Sequence, residues 1–392
     1  MSSQPLKSMP SIHWIGSGLA SGPGIVSLTN KWGEITVWDM MLDRAHALQN
    51  EVAEGATLNV RSLNLGDDAS IQEFCKALNK GDIVISMLPA TFHVQLAKIA
   101  LAEECHMVTS SYLDDEMLAL HDEAVSRGVS LVNEVGLDPG IDHLLTHVLV
   151  DAAKQAGVLG QNNQLDFVSF CGGFPVENTP FTYKFSWTPL GVITALTNPA
   201  QLVKNGTETT IPTAWENVSE ISIHDEKFEA YANRNSLPFI AEYGLGAETN
   251  LRTFIRGTLR LSGWKNAWKD IFKTLETATP EDLKILSDKL WAEHQYDDGE
   301  EDRVVLYVAL SSKTESGDRW KASLTVDTRG SGWQTAMANA VSYTVAEAVN
   351  ALMYARLSPG VQAAPHDTNE AKVWLKGLAD NGINVKAINV DL

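Results

Sequence analysis

Between Ser11 and Gly136 short β-rich apolar runs alternate with longer runs whose apolar residues recur at helical spacing. The pattern predicts strands at SIHWIG (11–16), EITVWDM (34–40), TLNVRSL (57–63), DIVISML (82–88), HMVTSS (106–111) and SLVNEVG (130–136). Helices are predicted between them at 42–54, 68–80, 91–104 and 115–128, each opened by acidic or turn residues. Strand and helix repeated in this way imply a doubly wound parallel sheet of the Rossmann type, with helices on both faces. The stretch LVNEVGLDPGIDHLL (131–145) closes the last strand of that sheet. Its Asp138 reads as a helix N-cap, with Pro139 at the first helical position.

Beyond residue 150 the pattern changes. Runs at 165–174, 208–223, 251–263, 303–312 and 319–328 predict a mainly antiparallel sheet in an α+β domain, interrupted by a small helical insert over 263–302. In that insert Trp264 and Trp268 lie one helical turn apart, a spacing that suits packing of the lobe or a dimer contact. A small-residue helix within 332–361 could pack back on the first domain. The expected organisation is a dinucleotide-binding domain at 1–138 and a substrate and dimerisation domain at 139–334. The segment 335–392 is expected to return to the first domain.

Charge narrows the functions available. With 30 basic against 49 acidic residues the formal net charge is -19. That argues against nucleic acid or anionic membrane as partner, so an anionic small substrate must be held by local arginines or lysines. Cys75, Cys105 and Cys171 form no C-x-x-C pair, and no segment approaches the ~18 apolar residues of a membrane span. The N-terminal MSSQPLKSMP has no apolar leader core. A soluble, cytoplasmic protein is expected.

IHWIGSGLASGPG follows the first strand and opens a helix, the setting a dinucleotide fingerprint requires. Gly16 would make the tight turn and Gly18 would admit a pyrophosphate, with Ser17, Leu19 and Ala20 completing the loop; Ser21 stands where the third glycine is usual. Asp39 ends the second strand, where a carboxylate would accept hydrogen bonds from both ribose hydroxyls, so NAD is expected rather than NADP. Arg44, five residues on, could pair with an extra phosphate instead. Ser86, Leu88 and Pro89 after the fourth strand would lie beside the cofactor, and Thr109, Ser110, Ser111 and Tyr112 after the fifth reach the same edge. His143 and His147 share a helix face, but no H-E-x-x-H glutamate accompanies them and no metal is expected. A strand at RGTLR puts Arg256, Thr258 and Arg260 on one face, as a carboxylate clamp would need.

TSSYLDDEM, NEVGLDPGIDHLL, FCGGFP, YKFSW, YANRNSLPF and FIRGTLR, with the closing SYTVAEAVNALMYARLSPGV, resemble in order the signature segments of the glutamate-forming saccharopine dehydrogenases, or saccharopine reductases. The chain departs in its glycine loop, its shorter insert and Asp39. The resemblance implies oxidation of saccharopine to glutamate and 2-aminoadipate 6-semialdehyde with a nicotinamide nucleotide, by a homodimer. It implies Tyr112 and Asp138 beside the substrate amine and nicotinamide, and Cys171 opposite them. Ser111, Tyr112, Arg234, Thr258 and Arg260 would contact substrate, and Leu137 and Pro139 would flank the cofactor. Two alternatives stand beside this reading: a carboxynorspermidine-type reductase, and a nucleotide-sensing relative without chemistry.

Overall fold

The computed structural model describes residues 9–392; most of the N-terminal stretch read above as lacking a leader lies outside them. The chain opens with β1 (Ile12–Ile15), α1 (Gly22–Trp32), β2 (Glu34–Asp39), α2 (Asp43–Leu48), β3 (Thr57–Ser62), α3 (Asp68–Cys75) and β4 (Ile83–Ser86). Next come α4 (His93–Ala102), β5 (His106–Thr109), α5 (Asp115–Leu118), α6 (His121–Arg127), β6 (Ser130–Val132) and α7 (Ile141–Gln155). The middle holds β7 (Gln164–Pro175), α8 (Pro189–Thr197), β8 (Ala200–Lys204), β9 (Thr207–Ile211), β10 (Ser219–Ile223), β11 (Glu226–Ala232), α9 (Pro238–Glu242) and β12 (Leu251–Leu261). The insert forms α10 (Trp264–Ala267), α11 (Lys269–Leu275) and α12 (Pro280–His294). The chain ends with β13 (Glu301–Lys313), β14 (Arg319–Ser331), α13 (Ala336–Met353), β15 (Gly360–Gln362), α14 (Thr368–Asp380) and β16 (Val385–Ile388).

Two compact units result. Among the described residues the first comprises 9–143, 338–365 and 373–382, and the second 144–337, 366–372 and 383–392. The first is built on a seven-stranded sheet in the order β15-β6-β5-β4-β1-β2-β3, with every pairing parallel. Its inner strands β1 and β4 are buried at every position, as strands covered on both faces must be. The strand predicted to end this sheet, β6, is not its edge, because β15 pairs beside it in parallel. Three residues that begin at the glycine after Pro359 carry too little pattern to be read as a strand alone.

The second unit carries a nine-stranded sheet, with β10-β11-β12-β7-β13-β14-β16 as its main path, β8 pairing beside β12 and β9 beside β8. Its pairings are antiparallel except that of β7 with β12, which is parallel. Trp264 and Trp268 are fully buried in an aromatic cluster with Tyr183, Phe185, Tyr231 and Phe272. Burying side chains of this size is worth roughly 2–3 kcal/mol each, so the insert packs as part of this unit's core.

Candidate functional site

The glycine loop is held from three sides. Gly16 has φ +95, donates its N–H to the Trp38 carbonyl at 2.9 Å, and a Cβ there would lie 2.9 Å from the Met87 carbonyl oxygen. Its own carbonyl accepts the Trp14 indole N–H at 3.0 Å and the Ser21 hydroxyl at 2.8 Å. Around Gly18 a Cβ would meet nothing within 4 Å, so the backbone there is open to a ligand. The third glycine, read as replaced by Ser21, is supplied instead by Gly24 inside α1. A Cβ on Gly24 would lie 2.5 Å from the Ser342 carbonyl oxygen of α13 and 2.7 Å from the Trp14 ring. The close helix packing that the fingerprint needs is therefore met three residues later than the pattern suggests. An open glycine turn leading into a helix N-terminus fits a dinucleotide pyrophosphate.

Asp39 ends β2 as expected, but its carboxylate is already engaged. One oxygen accepts the Ser17 backbone N–H and hydroxyl, both at 2.6 Å, and the other accepts the Met41 N–H at 3.1 Å. Burial alone would raise its pKa, yet the Ser17 and neighbouring backbone hydrogen bonds outweigh it and hold the carboxyl below its usual range. Arg44 is exposed in the first turn of α2. Leu88 is half-buried against the glycine turn, Pro89 and Leu19 are exposed, and Ala20 is half-buried. Ser86 is fully buried, its hydroxyl bonded to His93. Ser110 is half-buried, with its hydroxyl 3.9 Å from the Met87 sulfur.

At the ends of β5 and β6 two segments are tied together. Glu134 donates its N–H to the Ser111 carbonyl at 3.0 Å, and its Oε1 accepts the Leu113 N–H at 2.9 Å. Its other oxygen lies 2.9 Å from His143 Nε2, off the line a hydrogen bond requires. Then the loop through Leu137, Asp138 and the cis-bonded Pro139 folds on itself. Gly136 donates to the Pro139 carbonyl at 2.8 Å, and a Cβ at Gly140 would fall 2.1 Å from the Gly136 carbonyl oxygen. Leu137 and Pro139 are buried while Asp138 is half-buried, and the Tyr112 hydroxyl donates to Asp138 Oδ1 at 3.0 Å.

The expected capping role of Asp138 is thereby corrected. Helix α7 begins at Ile141, and it is Asp142 whose Oδ1 accepts the Gly140 N–H, at 2.7 Å. The loop occupies the residues between, so Asp138 is too far up the chain to cap. The histidine pair also separates: His143 meets Glu134, while His147 stacks on His366 with centroids 4.7 Å apart.

In the second unit, register aligns Cys171 of β7 with Thr258 of β12 and Thr258 with Tyr231 of β11. Arg256 and Arg260 flank Thr258 on the same strand face, and both are buried. The Arg256 guanidinium lies 3.9 Å from the Phe239 ring centroid, and that of Arg260 lies 4.7, 5.4 and 5.5 Å from Tyr183, Tyr231 and Trp264. Arg260 donates to the Leu259 carbonyl, and its Nε is buried without an acceptor among the described residues. A guanidinium held by rings rather than by a carboxylate keeps its planar donors available to an anion. Burial raises the pKa of Tyr183 and Tyr231 against the opposing pull of Arg260, so both rings stay neutral. Arg234 is exposed beyond β11 with φ +57, its carbonyl accepting the Gln201 N–H. Cys171 is buried, and Cys75, Cys105 and Cys171 form no disulfide.

The residue that sequence reasoning missed is His93. It lies inside a run read only as helix, and its one signal is position, a polar residue opening α4 just after the β4 edge.

Residues 12–132 match the family model described as saccharopine dehydrogenase NADP binding domain, and residues 136–383 the saccharopine dehydrogenase C-terminal domain. The chain is 34% identical over 260 residues to the saccharopine dehydrogenase (NADP(+), L-glutamate-forming) of Pyricularia oryzae, covering 65% of this chain and 55% of that protein. The Saccharomyces cerevisiae protein of the same name is 35% identical over 263 residues, covering 64% and 54%. The matches thus span about half the length of these relatives. Among solved structures, apo saccharopine dehydrogenase (L-Glu forming) from Saccharomyces cerevisiae superposes with a TM-score of 0.78 at 27% identity, covering 97% of this chain and all of that one. These names overturn the expected preference for NAD: the relatives are NADP enzymes and the matching model is an NADP binding domain. The physical reason lies at Asp39, whose carboxylate is taken up by Ser17 and the following backbone, so an acid at this strand end does not by itself declare a ribose partner. With both family models accounting for nearly all of its length, the chain belongs to the saccharopine dehydrogenase family.

Proposed function

We propose that this protein oxidises saccharopine with NADP to glutamate and 2-aminoadipate 6-semialdehyde. The observation that carries the reading is the 3.0 Å hydrogen bond from Tyr112 to Asp138, placed at the carboxyl edges of β5 and β6 in the same unit as the glycine loop. Ligands of open parallel sheets bind at this edge. A nicotinamide nucleotide, when bound, accepts hydride from the substrate carbon. The chain's own task is the proton: the secondary amine must lose one before hydride can leave, and Asp138, its charge steadied by the Tyr112 hydroxyl, is the acceptor. The imine that results takes up water and cleaves. Arg234, Thr258 and Arg260, with Ser111, hold the substrate carboxylates, and Cys171 lines the same strand row as Thr258. Gly16, Ser17, Gly18, Leu19 and Ala20 would cradle the pyrophosphate, and Arg44 would face the extra phosphate of NADP.

Nucleotide reduction assayed with saccharopine, against carboxynorspermidine as the rival substrate, tests the reading. Reduction with saccharopine and release of glutamate are expected. Turnover only with carboxynorspermidine would replace the substrate, and turnover with neither would leave a nucleotide sensor. The reading also carries a cytoplasmic homodimer. Three cysteines that form no disulfide suit a reducing compartment, and light scattering of the purified chain decides the dimer.

A further inference from the structure

At the ends of β4 and β5 one imidazole gathers three hydroxyls. His93, the first residue of α4, is 5% exposed. Its Nδ1 lies 2.8 Å from Ser86 Oγ, and its Nε2 lies 2.8 Å from Ser111 Oγ and 3.2 Å from Thr109 Oγ1. Thr109 Oγ1 in turn accepts the Ser111 backbone N–H at 3.3 Å. Ser86 and Thr109 are almost wholly buried and Ser111 is half-buried, so the network runs outward from the core to one accessible hydroxyl. Burial depresses the imidazole pKa to about 4 in spite of the nearby Asp114 charge, so the ring is neutral at physiological pH. A neutral imidazole carries one N–H and one lone pair, and the hydrogen bonds at its two ends therefore have opposite sense. The direction of the Ser111 hydroxyl is thus linked to that of Ser86. An apolar side chain could fill the space but would strand these hydroxyls, leaving buried polar groups unsatisfied.

We propose that His93 is a positioning residue for substrate binding, fixing the Ser111 hydroxyl in one place and one orientation at the end of β5. The inference rests on the proposed contact of Ser111 with substrate. It is tested on the full chain with His93→Asn, His93→Gln, Ser111→Ala and the His93→Asn/Ser111→Ala double variant. Asparagine can reach the place of Nδ1 but not of Nε2, whereas glutamine extends toward Nε2. His93→Asn is expected to raise the KM for saccharopine ~10-fold, about 1.4 kcal/mol, with kcat and the nucleotide Kd within about twofold of wild type. His93→Gln should recover most of that loss. Ser111→Ala should raise the same KM, and adding His93→Asn to it should cause no further rise, because the two residues act as one unit. Additive effects, or a nucleotide Kd that rises with KM, would mean a purely structural role and overturn the proposal. If Ser111→Ala raises KM while His93→Asn does not, the proposal alone fails. If Ser111→Ala leaves KM unchanged, the substrate contact of Ser111 fails and the proposal with it. Ser86→Ala keeps the imidazole and unties only Nδ1, so it reads the same network if His93→Asn does not fold. It should raise the KM in the same direction, and an unchanged value would count against the proposal.

Discussion

Two side chains at the end of the parallel sheet and one arginine in the second unit carry the residue-scale consequences. Because Tyr112 donates to Asp138, replacing the acid with an amide removes the proton acceptor while keeping the shape. Asp138→Asn should lower kcat by ~10²-fold with nucleotide affinity nearly unchanged, and Tyr112→Phe should lower it less. Pre-steady-state hydride transfer monitored by absorbance checks both, and wild-type rates in both would move the chemistry elsewhere. Arg260 is wrapped by Tyr183, Tyr231 and Trp264, a setting that suits a planar guanidinium better than an ammonium. Arg260→Lys should therefore raise the saccharopine KM at least ~10-fold, about 1.4 kcal/mol, despite keeping the charge. An unchanged KM would take Arg260 out of the substrate clamp. Much of this was legible beforehand: alternation along RGTLR put Arg256, Thr258 and Arg260 on one face. The aromatic wrapping was not, because Tyr183 and Tyr231 reach Arg260 from distant parts of the chain.

At the scale of elements, glycine placement decides how closely helix and strand approach. A methyl at Gly24 would meet both the Ser342 backbone and the Trp14 ring, neither of which can yield easily. Gly24→Ala should cost ~1–3 kcal/mol of stability by overpacking, read as a lower denaturation midpoint with an unchanged m-value. Gly18→Ala, with open space around it, should leave stability nearly unaltered and act on nucleotide binding instead. Equal destabilisation by the two would contradict this division of labour. The strands and most helices of the first unit were readable because short β-rich apolar runs and helical spacing are both local signals. The start of α7 and the identity of the third glycine were not. Pro139 and Asp138 have the local chemistry of a helix start, yet the hydrogen bonds of Gly136 with Pro139 and of Asp142 with Gly140 place a closed loop there.

For the whole molecule the nucleotide is the clearest lever, since a ligand that binds only the folded chain raises its melting temperature, and at equal concentration the tighter binder raises it more. NADP should raise Tm more than NAD at equal concentration. Arg44→Ala should remove most of that difference, weakening NADP by ~10-fold, about 1.4 kcal/mol, while leaving NAD nearly untouched. Titration calorimetry with both nucleotides checks this independently of turnover, and an unaltered NADP affinity would release Arg44 from the phosphate. The sequence by itself determined the parallel sheet, the glycine loop, the mainly antiparallel second sheet and the family, because each is written in short-range periodicity or in contiguous motifs. Only the tertiary structure decided that β15 extends the first sheet, that β7 pairs with β12 in parallel, that Asp39 is engaged by Ser17, and that His93 links three hydroxyls. Each of these joins residues from separate segments through hydrogen bonds that the chain completes only once folded, and such pairings leave no local periodicity to read.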